Sequence, residues 1–274
     1  MTATAEATPT PAPSTTEATQ QTAPAEAAPK YNTPTFPASA LKAVFGAAAR
    51  NDPRKVFLGV RLRMEEGEKC SLAASDGKVL AIATCHMDEL GASATGLLQP
   101  DSFVDGFGPL KYEGENVVLA SETIKSILAH GKAGAALHLQ KQDTVRLESG
   151  PGGSVWVRNV MGHALQLHNP YIEGRYPNAE GVFPTAGSQR RTDAPFGLNA
   201  RLACELFQIV AALSDGKAGY PCVVHYYGPT KPVVIEACRV FDSPMRFRGL
   251  LMPLKLAEVP GVPERDEAPG DSEA

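Results

Sequence analysis

Cys85 and His86 stand side by side in "ATCH", and His163 and His168 lie five residues apart in "GHALQLH". These are the residue types of a nucleophile with its base, or of a metal site. Neither pair has the spacing the chemistry needs. In a strand, neighbouring side chains point to opposite faces, and residues five apart diverge in the same way. "GPGGS" (150–154) follows a strand-like run but opens no helix, so it predicts a turn and not a phosphate cradle. The chain carries no P-loop, no HExxH and no GxSxG. No enzyme, metal site or cofactor is therefore expected, and binding is the remaining chemistry. The stretch that invites it is "GLLMPLKL" (249–256), with Lys255 its only charge and an acidic run directly after it. Pro253 deletes one ladder donor and predicts an edge or terminal strand. Met252 offers a flexible, polarizable surface that accommodates varied partners. The competing expectation is a plain core strand, since alternation buries half of any such run.

Composition narrows the setting. Residues 1–32 contain no Leu, Ile, Val, Phe or Trp, and residues 257–274 are acidic and Pro-containing. Such segments cannot bury enough apolar surface to offset ordering, and both are expected to be disordered tails. The first has neither the basic start nor the apolar run of a signal peptide, and no run reaches membrane-spanning length. The net charge of −4 comes from the tails; without them 24 basic and 21 acidic residues remain, a core of +3. That is too weak for a tight DNA binder. The five cysteines (70, 85, 204, 222 and 238) are odd in number and form no CxxC. They fit reduced thiols and a cytoplasmic location.

The elements that would position these residues recur in one order. "ASALKAVFGAAAR" (38–50) places Leu41, Val44, Phe45 and Ala48 on one helical face, with Pro53 beyond to end it. Strand-like runs follow at 56–64, 69–74 and 79–84, the last two flanking Ser75-Asp76-Gly77-Lys78, a hairpin signal. A second unit reads as a strand at 116–120, Ser121 as N-cap, a helix over 122–130, and strands at 135–140, 144–149 and 154–160. A third has Asn199 as N-cap, a helix over 200–213 with Leu202, Leu206, Val210 and Leu213 on one face and Phe207 beside them, then strands from 222, 232 and 245. Strand, helix, several strands thus appears three times.

In this order, five motifs resemble the bacterial DNA polymerase III beta subunit, the sliding clamp. "FPASALKAVFGAAA" resembles the opening of the family's middle domain, and "LAASDGKVLAIAT" its "ATDGHRLA" hairpin. "YIEGRYPNAEGVFP" (171–184) is similar to its linker "DGRFPDYRRVLP". "GLNARLACELFQIVAAL" resembles its last-domain helix "GFNVSYVLDVLNAL", and "GLLMPLKL" its closing "YVVMPMRL". The resemblance implies the α+β DNA-clamp fold, with repeated strand-helix-strands half-units and helices packed on antiparallel sheets. It implies a complete clamp-like domain with linker over 33–184 and a half-domain over 185–256. The family's first domain is not expected before Tyr31. Only "TAGSQRRTDA" stands where the family has a further half-domain.

The resemblance also implies a site and partners. In the family, a hydrophobic pocket receives linear peptides of polymerases and other DNA-maintenance proteins. Carried over, its positions are Leu58, the hairpin residues Ser75, Gly77, Lys78, Val79 and Leu80, the linker residues Pro177 and Val182, and the closing residues Leu250, Met252, Pro253, Leu254, Lys255 and Leu256. Two buried peptide anchors at about 1.5–3 kcal/mol each, less ordering costs, predict roughly micromolar affinity. The family's helices face double-stranded DNA. Lys42, Arg50, Lys125, Lys132 and Arg201 are their basic positions here, with Arg54, Lys55, Arg190 and Arg191 in adjoining loops. The function implied is a sliding-clamp-like processivity factor or accessory that tethers replication and repair proteins. The alternative is a clamp-derived peptide-binding module or decoy that does not encircle DNA. The unpaired third unit predicts a homo-oligomer, a two-fold dimer joined through the helix face of Leu202, Leu206, Phe207, Val210 and Leu213.

Overall fold

The computed structural model describes residues 33–65, 69–86, 105–110, 116–129, 144–159, 161–185, 188, 197–213, 221–228, 230–237 and 245–253, all within one unit, Tyr31–Ala274. The tails 1–32 and 257–274, the strand expected at 135–140, Lys132, Arg190, Arg191, Cys238 and Leu254, Lys255 and Leu256 lie outside these residues.

In the first unit, β1 (Thr35–Pro37) leads straight into α1 (Ala38–Phe45), followed by β2 (Val60–Glu65), β3 (Lys69–Ser75) and β4 (Val79–His86). The helix is shorter than its apolar pattern. Gly46, Ala47 and Ala48 donate to carbonyls three residues back, so the end tightens into turns. The expected strand at 56–64 begins only at Val60, because Lys55–Leu58 coils into a 3-10 turn. Leu58 thus belongs to that turn and not to the strand. Gly59 allows the junction: a Cβ there would lie 2.1 Å from the Leu119 carbonyl oxygen.

After β5 (Gly108–Pro109), the second unit supplies β6 (Asn116–Leu119), α2 (Ser121–Ala129), β7 (Thr144–Ser149), β8 (Val155–Asn159) and β9 (Ala164–Leu167). Ser121 is the first helical residue and not the cap; the Ala120 carbonyl accepts the first helical bond from Ile124. The third unit has α3 (Ala200–Leu213), β10 (Cys222–His225), β11 (Val233–Ala237) and β12 (Met245–Leu251). Here the expected cap is present: Asn199 Oδ1 accepts from the amides of Arg201 and Leu202.

All strand pairs are antiparallel, and with the packed helices they make an α+β fold. One sheet runs β1-β7-β8-β9, with β5 also on β7; the other runs β10-β11-β12-β4-β3-β2-β6. The lead strands cross over: β1 pairs with β7 of the second unit, and β6 pairs with β2 of the first. The third unit joins through β12, whose Met245–Leu251 pairs along Cys85–Val79 of β4.

Alternation along the seven-stranded sheet separates two cores. Leu72, Ala81, Leu119, Ile235 and Leu251 point to the helix side, where they meet Leu41 and Val44 of α1 and Leu206, Val210 and Leu213 of α3. α1 packs on both α2 and α3. Ala73, Leu80, Ile82, Val118, Val234 and Leu250 point the other way, under Tyr176, Ala179 and Phe183 of the segment after β9. This corrects the premise that the third unit lacks an internal partner. Leu206, Val210 and Leu213 are spent on the chain's own core, because β12 brings α3 over β4 and against α1.

Candidate functional site

The hairpin 75–80 is built by its own polar side chains. Asp76 Oδ1 accepts from the amides of Lys78 and Val79 at 2.8 Å each, and Ser75 Oγ accepts from Gly77 N–H at 3.0 Å. Ser75 Oγ itself donates to the Val79 carbonyl at 2.7 Å. Gly77 has φ +86°, a conformation other residues rarely adopt. The tip is thereby rigid, with Gly77 and Lys78 exposed and Val79 and Leu80 buried.

The register of β4 on β12 brings the closing strand to this hairpin. Leu80 faces Leu250, Val79 faces Leu251, and Met252 N–H donates to the Lys78 carbonyl at 3.1 Å. β12 is not an edge strand: β11 and β4 flank it. Pro253, which cannot donate, follows directly where the ladder ends.

The third wall is the segment after β9. It starts beside β6, with Ile172 N–H donating to the Val118 carbonyl at 2.8 Å. It is then pinned at three points. Tyr176 stacks edge-on to Phe57, ring centroids 5.8 Å apart. Arg61 forks onto the Glu180 carboxylate, with Nη1–Oε2 at 3.0 Å, and this pairing holds Glu180 below its ordinary pKa. Arg248 lies 4.2 Å over the Phe183 ring, and Glu236 braces Arg248 while also bonding His225. Burial pushes the Tyr176 phenol above its usual pKa.

The expected site residues therefore divide by exposure. Leu80 and Leu250 form a closed floor, roofed in part by Phe183 and its neighbours. Met252 is 46% exposed and Val182 53% exposed, while Pro177 is exposed and Leu58 and Pro253 half-buried. Tyr176, Ala179, Phe183, Arg61 and Glu180 hold the linker wall but were not among the expected residues. The apolar spacing in "RYPNAEGVF" is the signal that points to the first three.

Among the expected basic positions, Lys42, Arg50 and Arg201 line one open cleft of about 760 Å³ between α1 and α3, which Lys78 also lines. Lys125 sits apart, on α2. Arg201 pairs with Glu205 and Lys125 with Glu122, which leaves Lys42 and Arg50 without an ion pair among the described residues. Arg54 pairs with Asp52 and covers the Phe57 ring at 4.2 Å. The candidate catalytic pairs stay apart: Cys85 is buried in the helix-side core, and burial pushes its thiol well above the ordinary value, the reverse of what a nucleophile needs. His163 and His168 are exposed at opposite ends of β9. Among the described residues no group of three or more His, Cys, Asp or Glu could hold a metal ion, and no helix is long and apolar enough to cross a membrane.

No family model matches the chain, and no curated protein matches it. Solved structures it is similar to include DNA polymerase III beta subunits, the sliding clamps. Against the clamp of Borrelia burgdorferi, solved with a natural product, the TM-score is 0.49 at 11% identity, covering 82% of this chain and 64% of that one. For the Pseudomonas aeruginosa clamp, solved with a ligand, the values are 0.47 and 12%, covering 82% and 67%. For the Bacillus subtilis clamp they are 0.46 and 12%, covering 83% and 65%. The chain thus spans about 65% of the length of such clamps.

Proposed function

We propose that the chain is a clamp-type tethering module that receives a short linear peptide between the 75–80 hairpin, the end of β12 and the linker 176–183. The observation that carries this is the β4–β12 register. It joins two segments some 170 residues apart in the chain, so that Leu80 meets Leu250 and Met252 bonds Lys78. A core strand alone needs no such arrangement at its last residue. Here the ladder stops at Leu251, Met252 is left as a large exposed apolar side chain beside a rigid turn, and Val182 is a second one on the segment after β9. The partner class is an extended peptide with a Gln and paired Leu or Phe anchors, as carried by polymerases and other replication and repair proteins. Affinity is expected to be about micromolar, since two anchors contribute only a few kcal/mol after ordering.

Double-stranded DNA is the second partner on this reading. Lys42, Arg50 and Arg201 share one cleft, but Asp52, Asp76 and Glu205 line it too, so contacts are weak and independent of sequence. With about ten residues between Pro184 and the third unit, the reading favoured is a module that binds peptides without closing a ring. Titrating a fluorescent peptide of this class tests the site. Saturable binding that Val182→Glu weakens supports it; no binding at about 100 μM protein defeats it.

A further inference from the structure

The cleft between α1 and α3 combines charge with a small apolar lining. Gly46, Ala47 and Ala48 line it from the end of α1, and Leu202, Ile209 and Ala212 from α3. Lys42, Arg50 and Lys78 are exposed around it, none with an ion pair among the described residues. Its acids are already engaged: Asp52 by Arg54, Glu205 by Arg201, and Asp76 by two amides of its own hairpin. With Arg54 included, five positive charges meet three negative ones, an excess of two.

The chain leaves the sheet at one end of this cleft. Lys78 and Val79 line it; Val79 pairs with Leu251, and the Lys78 carbonyl accepts from Met252. The described residues continue to Pro253. Beyond them, residues 257–274 carry six acids and one Arg, a net −5. Val259 and Val262, each followed by a proline, precede Glu264, Asp266 and Glu267. A spacing of three is the period of a polyproline II helix, which would set both valines on one face.

We infer that this cleft binds the chain's own acidic segment 257–274, with Val259 and Val262 over the small apolar lining and Glu264, Asp266 and Glu267 against Lys42 and Arg50. Glu264 stands eleven residues past Pro253, a reach of up to about 35 Å when extended. The eight residues of α1 rise only about 12 Å. Charge favours this segment over residues 1–32, which hold three acids and Lys30, a net −2, and lead into β1 of the other sheet. Weak contacts suffice, because a short tether keeps the segment at an effective concentration of about a millimolar. The segment competes for Lys42 and Arg50 with the duplex DNA of the proposed function, but its own binding does not require that DNA binds.

Carbodiimide coupling of the full chain, which joins amines to carboxylates in contact, tests it by mass mapping of the monomeric product. Lys42 and Lys78 should couple to carboxylates within 264–273, whereas Lys125, exposed on α2, should not. The yield should fall several-fold between about 0.01 and 1 M salt, as the screening length shrinks from about 30 to 3 Å. Lys42→Glu with Arg50→Glu alters two exposed side chains, so the melting curve should hold while coupling of Lys78 to the segment drops. Glu264→Lys, Asp266→Lys and Glu267→Lys together should also reduce coupling, and all five substitutions combined should restore it with amine and carboxylate exchanged. Absence of coupling at Lys42 overturns the inference, as do equal coupling at Lys125, coupling confined to a product of twice the mass, or no restoration in the combined variant. Coupling at Lys78 without Lys42 would put the segment at the peptide site and overturns it too. Duplex titration keeps the two readings apart. Glu264→Gln, Asp266→Asn and Glu267→Gln together should tighten DNA binding several-fold. If Lys42 couples and DNA affinity is unchanged, the segment's place in the cleft is upheld and the DNA reading fails; if DNA binds and Lys42 does not couple, the reverse holds.

Discussion

Met252→Glu interrogates the peptide site with little damage to the fold. Met252 follows the last ladder residue and is 46% exposed, so the substitution removes little packing and the melting temperature should hold. Burying a Met side chain completely contributes about 1.5–3 kcal/mol. Roughly half of it remains open, so a peptide anchor covering it gains about 1 kcal/mol. A Glu carboxylate must instead lose water beside an apolar anchor, which costs about 1–3 kcal/mol when no partner replaces the water. The two terms together give about 2–4 kcal/mol, a loss of roughly 30- to 1,000-fold in affinity. Anisotropy with the labelled peptide should then place a micromolar interaction in the high micromolar to millimolar range. Met161→Glu is the control, since Met161 is 72% exposed in the turn between β8 and β9 and should leave binding unchanged. Equal affinity for wild type and Met252→Glu, with superposable melts, would refute the placement of the peptide beside Met252.

Three other outcomes follow from the geometry. A Cβ at Gly249 would lie 2.2 Å from Leu206 Cδ2, so Gly249→Ala should cost about 1–3 kcal/mol of stability by overpacking, read as a urea midpoint; Leu206→Ala alone should cost about 2–5 kcal/mol, the double variant should lose less than the sum, and strict additivity would show the two do not touch. The folded pKa of Glu180 lies below its ordinary 4.5, so the Arg61 pairing contributes fully above about that pH and is lost as pH falls through the lower folded value; Glu180→Gln should cost about 1 kcal/mol at neutral pH, discounted for the exposure of Glu180, and nothing in acid. Binding to duplex DNA should be weak and fall steeply with salt, with Lys42→Glu and Arg50→Glu weakening it further; nanomolar, sequence-selective binding in physiological salt contradicts this reading.

Local rules made the short elements legible. Asp76-Gly77 between apolar runs is a tight turn because Gly77 takes a positive φ and Asp76 caps the amides that follow. Asn199 before an apolar 3.6-period is a helix start for a similar reason: a side-chain oxygen satisfies orphan amides. Boundaries were less legible where packing overrides propensity. The run 56–64 has strand composition throughout, yet its first half coils so that Gly59 can pass against the Leu119 carbonyl. β9 carries too short a pattern, "ALQL", to stand out before its partner β8 is known.

The sequence by itself determined the helix-then-strands order of each unit, the Asp76-Gly77 turn, the Asn199 cap, and the apolar character of the closing strand. These depend on neighbours within a few positions, and period and turn chemistry report them. Only the tertiary structure decided which strand lies beside which. The run 245–251 is equally apolar whether it ends a sheet or sits inside one, and its pairing with β4 rests on contacts about 170 residues apart. That pairing turned the face of α3 read as an intermolecular surface into core, and left Val223, Val224 and Phe207 outside it. It also set Met252 against Lys78. A hydrophobic pattern states that a side chain will be buried; the partner that buries it is chosen by the whole chain.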